Sequence, residues 1–516
     1  MSNARTHDRR RFLRDAALTA AGIAGATTRP SAGTLAWLAQ EPSARRTVPP
    51  ASLSRQFARW VVGLRFEDLP AAVVDRAKGL TLQNLASALL GSGMPAGQQA
   101  ARFVADEEAG VPGGATVLVT GTKVTRGGAA FANAEMMLAG GKWDTFRMLT
   151  HPGTAIIPSA LVASEGEGAS GRDFITGIVA GYEVMERMAA DWIPTVMARG
   201  FHAGPVFSIF GAAIAAAKIL HLNEDQVHGV ISLCTNLAGS NLESRALREG
   251  AAVRNAMLAV ALAKQGPVGG GEAVLEGPAG FYRAYAGNNH GDLSYAFTGP
   301  LKASFDEIVA GLGQRWEVLD VKFKIYPTPG FNQPVIWLAS QMVSQHRLVP
   351  AAIERVTLEM NYLETLYPTP RFPRANAADG SPFGRTAYML AYTVVAGDYP
   401  VLEDYNPHTV AEGSHATLAA SVGALQQRVE IIGEVGRDCF APRMTFLLKD
   451  GRRITGEYHG RELMWDFARD AQELRRFIPG LPVPAPQYDH LVAVIASLDS
   501  ADSVNDLVGL TLRKAS

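Results

Sequence analysis

The sequence predicts a mainly α protein, a large all-helical domain with a smaller inserted α+β lid domain. Three observations predict it. Apolar residues recur at helical spacing from about residue 53 to 315, strand-like alternation sets in after Trp316, and helical spacing returns from about residue 458. The chain has 516 residues, more than one core usually fills, so more than one domain is expected.

Residues 1–50 read as an export signal and its tail. In "DRRRFLRDAALTAAGIAGA", Arg9, Arg10, Phe12, Leu13 and Arg14 precede a short alanine-rich run, which resembles a twin-arginine signal. The run ends near Ala26, short of the roughly 20 apolar residues that span a bilayer. The expectation is a cleaved signal and a periplasmic protein, with no stable membrane insertion after export. Recognition would depend on the guanidinium pair of Arg9 and Arg10, whose fork of donors lysine lacks.

Residues 51–316 read as the helical domain. Ser170 can start a helix in "SGRDFITGIVAGYEVMERMAA", with Phe174, Ile178, Tyr182 and Met185 on one face. Asn223 can cap another, with Gln226 at the third position. Abundant Ala and Gly predict closely approaching backbones. Residues 317–457 read as the α+β lid domain. Here "EVLDVKFKIYP" and "ERVTLEM" alternate at period two, with Val356, Leu358 and Met360 on one face. "RTAYMLAYTVVAG" reads as a helix, and "MTFLLKDGRRITGEY" as a hairpin around Asp450-Gly451. Residues 458–516 return to helical spacing and are expected to rejoin the first domain.

Composition narrows the function classes. Lys and Arg number 48 against 49 Asp and Glu, so no global field draws the chain to nucleic acid or an anionic membrane. Two cysteines, Cys234 and Cys439, exclude a disulfide framework. The sequence has no phosphate loop ending in Gly-Lys-Ser/Thr, no His-Glu-x-x-His and no Gly-x-Ser-x-Gly. Neither a metal nor another cofactor is expected, because two histidines without a third His or Cys at ligand spacing make a poor zinc site. Those two are His151, in "THPGTAIIPSALV", and His202, in "GFHAGPVFSIFGAAIAAA". Each stands at the mouth of a small-residue helix, where a partly positive N-terminus suits a carboxylate.

These histidines fall within a set of ordered motifs: "DT" followed by "HPG", then "GFH" with "FGAAIAAAKIL", "EGPAGFYRAY", "KIYP" and "YMLAYTVVAG". From about residue 53 to its end the chain resembles the MmgE/PrpD family, which includes 2-methylcitrate dehydratase, cis-aconitate decarboxylase and iminodisuccinate epimerase. The resemblance implies a homodimer with a cofactor-independent site between its lobes. Thr145 and His151 match the first motif, His202 the second, Lys324 the lysine before "YP", and Tyr388 the tyrosine of the lid helix. The chain also departs from the family pattern. Of an "H-x-x-D-F-D-D-T" run only Asp144-Thr145 is in place, with Leu138 and Gly141 at the His and first Asp. "RALREG" puts Arg245 and Arg248 where the family has Lys and His, and Pro329 and Gln333 replace a Cys and a His.

The expected function is a lyase or isomerase acting on a small di- or tricarboxylic acid. A base removes the proton alpha to a carboxylate while cationic groups stabilise the enolate-like transition state. Lys324, Arg245 and Arg248 are expected to bind carboxylates, His151 and His202 to move protons, and Tyr388 to act as acid or on the leaving group. Asp144 and Thr145 complete the catalytic set. The alternatives are a non-catalytic periplasmic carboxylate-binding protein, and a hydrolase recruiting Asp144.

Overall fold

The computed structural model describes residues 51–513 apart from 142, 149, 243, 245, 246, 327, 367–385 and 398–413. The export signal, Arg245 and the stretches around the 386–396 helix lie outside the described residues. The fold is mainly α, with small sheets. No helix among the described residues is long and apolar enough to cross a membrane.

At the centre lies a helix that solvent barely touches, Ala203–Ile219. Around it pack Gly153–Glu167, Gly171–Ala189 and Arg248–Gln265. In chain order we label the helices that matter below α1 (Ala71–Gly91), α2 (Arg126–Gly140), α3 (Gly153–Glu167), α4 (Gly171–Ala189), α5 (Ala203–Ile219) and α6 (Arg248–Gln265). Small residues permit this density. A Cβ on Gly211 of α5 would lie 2.9 Å from Ile156 Cδ1 and 3.0 Å from Met185 Cβ. The α1–α2 pair is closer still, because a Cβ on Gly140 would run into the Ser87 carbonyl and one on Gly91 into that of Met136. Neither backbone can give way without parting the helices. Gly140→Ala is therefore expected to cost about 2 kcal/mol or more, as overpacking does, measurable as a lowered denaturation midpoint. A midpoint unchanged from the parent would show that the crossing is loose.

Both caps expected from sequence are present. Ser170 and Asp173 form a reciprocal box at the start of α4, and Asn223 and Gln226 form one at Glu224–Leu237. Phe174, Ile178, Tyr182 and Met185 are all fully buried.

Two short strands, β1 (Asp144–Thr145) and β2 (Lys322–Phe323), pair antiparallel with Thr145 opposite Lys322. This pairing ties the stretch after Trp316 to the helical part. Arg76 of α1 donates to the Val321 carbonyl at 2.9 Å, and Val318 N–H donates to Glu183 of α4 at 3.0 Å. Next come α7 (Asn332–His346) and a four-stranded sheet of β3 (Ile353–Asn361), β4 (Val429–Glu434), β5 (Arg443–Leu448) and β6 (Arg453–Glu457). Its order is β4-β3-β5-β6, and β3 and β4 run parallel. Val356, Leu358 and Met360 are buried on one face. The hairpin between β5 and β6 turns at Asp450-Gly451, where Gly451 takes a positive φ of 86° that favours glycine. The remaining expected helix is α8 (Thr386–Ala396), packed on α7. Near the C-terminus, Phe467–Leu474 and Ala485–Ala496 pack on α1, with Phe467 N–H on Asp75 at 3.0 Å.

Candidate active site

Asp144 leaves α2 through Gly141, a left-handed residue with φ 74°. Its side chain turns into the core, not toward an open site. Both carboxylate oxygens accept the Gly153 N–H at 3.0 Å, and one accepts a short hydrogen bond from the Tyr182 hydroxyl. Asn84 also donates to it. The start of α3 is thus already occupied by an internal carboxylate, so it does not receive a substrate anion as sequence reasoning expected. A cap competes with a ligand for the same unpaired N–H groups. Burial pushes the Asp144 carboxyl up to about 6, against the opposing hydrogen bonds from Tyr182, Gly153 and Asn84.

The Asp144 main chain does a second job. Its carbonyl lies 3.2 Å from His151 Nδ1. A carbonyl can only accept, so Nδ1 carries the proton and Nε2 keeps its lone pair. Burial, followed by the charges of Lys324, Arg248 and His202, holds His151 well below the usual histidine value. It is a neutral imidazole with a defined basic nitrogen. Thr145, beside it, is fully buried and donates to the Thr150 carbonyl at 3.2 Å. That bond braces the loop leading to His151.

The indole of Trp143 joins two candidates that sequence separates by more than 170 residues. His151 packs on it with ring centroids 5.0 Å apart, and Lys324 places its Nζ 3.9 Å from the ring centroid. Lys324 is held on both sides of its backbone. Its N–H donates to the Trp143 carbonyl at 2.9 Å, and its carbonyl accepts from Gln83 of α1 at 2.8 Å. Burial, with Arg248 adding repulsion, lowers the Lys324 ammonium to about 7. The turn after it is closed by Gln333. That side chain accepts from the N–H groups of Ile325 and Tyr326 at 2.9 and 2.8 Å and donates to the Tyr326 and Thr328 carbonyls.

His202 stands at the N-cap of α5, and its Nε2 lies 2.6 Å from Arg248 Nη1 at the start of α6. Burial and the Arg248 charge lower it to about 3. Beside it, Glu135 of α2 accepts the Gly250 N–H at 2.9 Å, so the opening of α6 also has an internal cap. Neither Lys324 nor Arg248 forms an ion pair with a carboxylate among the described residues.

The structure therefore brings His151, His202, Arg248 and Lys324 into one electrostatic group. It sets Thr145 and Asp144 beside that group as supports. Arg245 lies outside the described residues. Tyr388 is half-buried on α8, its ring 6.2 Å from that of Tyr392, and its helix packs chiefly on α7 and Ser414–Gln426. A hydrogen-bond chain from Thr386 to Asn332 at 2.7 Å and on to Thr328 at 2.9 Å links α8 to the Lys324 turn. Lys322 points to a different neighbourhood, with Nζ 5.2 Å from the Phe440 ring centroid. Sequence reasoning missed Trp143, Gln83, Asn84 and Tyr182. Of these Trp143 alone carried a signal, as an aromatic directly before the Asp-Thr pair. Among the described residues no group of three or more His, Cys, Asp or Glu could hold a metal ion.

Comparison with known proteins gives these side chains a context. Residues 55–293 match the MmgE/PrpD N-terminal domain. The chain is 26% identical over 300 residues to the cis-aconitate decarboxylase-like protein oryM of Aspergillus oryzae, covering 55% of this chain and 60% of that one. It is 27% identical over 298 residues to cis-aconitate decarboxylase of Aspergillus terreus, covering 54% and 58%. For human cis-aconitate decarboxylase the figures are 25% over 334 residues, 61% and 63%. The matched part spans about 60% of these relatives. The domain match and these similarities identify residues 55–293 as a divergent MmgE/PrpD N-terminal domain.

Proposed function

We propose that the protein is a carboxylic-acid lyase, a decarboxylase or dehydratase, acting on a small di- or tricarboxylate. The observation that carries this reading is the group of His151, His202, Arg248 and Lys324, whose two cations form no ion pair with a carboxylate among the described residues. The names of the relatives point to the same substrate class.

The chemistry common to these reactions is charge at a carbon alpha to a carboxylate. In elimination a base takes that proton, the C–H pair enters the carboxylate as an enolate, and the leaving group departs from the next carbon. In decarboxylation of an unsaturated acid the C–CO2 bond breaks, its pair moves through the double bond to the same kind of enolate, and a proton is delivered at carbon. Lys324 and Arg248 would hold the enolate oxygens, where fixed cations in a dry site act most strongly. His151 and His202 would share the proton transfers, one taking a proton and the other delivering one, and His151 acts at Nε2 because its Nδ1 is committed to the Asp144 carbonyl. The site residues perform this without a cofactor, in a protein we place in the periplasm as a homodimer.

The test is incubation with a panel of di- and tricarboxylates, cis-aconitate included, in D2O, following CO2 release and deuterium at the alpha carbon. Either signal, lost on His151→Ala, supports the reading; a fully folded protein giving neither with any acid would sink it. A pH profile adds a second check. Lys324 is depressed to about 7, so it is charged below that pH and neutral above it. As an anion needs the charged form, kcat/KM should fall as pH rises through about 7, while kcat, measured with the anion bound, should fall at higher pH. A flat kcat/KM from pH 6 to 9 would remove Lys324 from substrate binding.

A further inference from the structure

Two polar atoms near His202 have no partner among the described residues. Arginine is only a donor, so the 2.6 Å contact from Arg248 Nη1 makes His202 Nε2 the acceptor and puts the ring proton on Nδ1. That Nδ1 is buried and makes no hydrogen bond to any described residue. Glu249, fully buried one residue after Arg248, accepts from Ser208 Oγ at 2.9 Å through Oε2, and its Oε1 likewise has no partner. The orphaned donor and orphaned acceptor border one gap. A Cβ on Gly204 would lie 2.7 Å from Glu249 Oε1 and 3.2 Å from His202 Nδ1, so this glycine keeps the space between them open. Buried polar atoms that are left unpaired are destabilising unless something uses them, and a polar gap of this kind suits one bridging water.

The Arg248 contact has a chemical cost for His202. With Nε2 accepting from the guanidinium, that nitrogen has no lone pair for a proton. Arginine binds a carboxylate, with charge on both partners and a matching fork, more strongly than it binds a neutral imidazole. We propose that Arg248 masks His202 in the empty site, and that an arriving substrate carboxylate draws the guanidinium away, exposing Nε2 as a base backed through Nδ1–H by Glu249. This rests on the carboxylate-lyase reading and adds a control to it. The proton at the alpha carbon passes to His202 Nε2 and its electron pair stays in the enolate held by Arg248 and Lys324. The Nδ1–H of the resulting imidazolium then faces the Glu249 carboxylate. The charged groups around this device are Arg248 and Glu135 on the Glu249 side, and Arg248 on the His202 side, with Lys324 acting on the neighbouring neutral ring of His151. The base is switched on by the substrate it acts on, so it does not abstract protons in an empty site.

The experiment is 15N NMR of the histidine rings in the full-length protein, with and without tricarballylate, a saturated tricarboxylate, whose binding is measured separately by calorimetry. In the empty protein His202 should stay neutral down to about pH 3. With tricarballylate bound, its pKa should rise by about two pH units or more, as for an imidazole that loses an adjacent cation and gains an adjacent anion. Arg248→Met should raise the His202 pKa in the empty protein and shrink the ligand-dependent rise. Glu249→Gln should leave tricarballylate affinity within about twofold and lower the ligand-bound pKa, a readout that a purely structural glutamate would not move. If tricarballylate binds and the His202 pKa does not respond, the masking proposal is overturned while the carboxylate site stands. If neither tricarballylate nor any acid of the substrate panel binds, both fall together.

Discussion

Lys324→Met is expected to lower kcat/KM by about 10- to 100-fold, the effect of removing a charge-assisted hydrogen bond worth about 1.5–3 kcal/mol. Folding should be untouched or slightly improved. The ammonium is buried against Trp143 with no counter-ion among the described residues, and its lowered pKa shows that the interior already disfavours its charge. Methionine keeps much of the aliphatic stem and its contact with the indole. The expected pair of results is an unchanged or higher denaturation midpoint and a loss of turnover or affinity. Parental kinetics in a folded Lys324→Met protein would remove this residue from the site. Lys322→Met is the control: its ammonium lies by the Phe440 ring, away from the histidines, so its effect should fall on stability and not on catalysis.

Asp144→Ala is expected to have the opposite profile, with a stability loss of about 3–5 kcal/mol. The substitution strands the Tyr182 hydroxyl, the Gly153 N–H and an Asn84 donor in a sealed interior, and each buried unpaired donor costs about 1–3 kcal/mol. Asp144→Asn should lose less, because its amide oxygen can still accept one of these donors while its NH2 meets another. Denaturant titration measures both. If Asp144 were instead the reacting acid, Asp144→Asn would fold like the parent and lose turnover outright, which would revive the hydrolase alternative.

What the sequence revealed and what it hid divide by the range of the interaction. The caps at Ser170 and Asn223 and the Asp450-Gly451 hairpin were legible because their partners lie within a few residues and their chemistry is local. The pairing of β1 with β2 was not: the alternation in "EVLDVKFKIYP" suggested a longer strand, but Glu317–Asp320 form a 3-10 turn, and the two-residue strand that remains depends on a partner far along the chain. The histidines and Lys324 could be picked out as residue types in suggestive settings, with help from a family resemblance. The indole that unites His151 and Lys324 could not, nor could the role of Asp144. A carboxylate before a helix reads the same whether it meets substrate or seals the core. Only the position of Tyr182 and Asn84, brought in from α4 and α1, decides between them.

The clamp that Gln333 forms bears on protein engineering. A designer seeking a closer match to the family pattern described above would be tempted to place a histidine at this position. Glutamine here serves four backbone groups of the turn beside Lys324 with one amide, whereas an imidazole offers one donor and one acceptor at fixed angles. The introduced ring would arrive in a turn that no longer holds its shape, and the lysine meant to work with it would drift. The substitution is therefore a backbone redesign, and the loop from Ile325 to Thr328 must be exchanged with the residue that holds it.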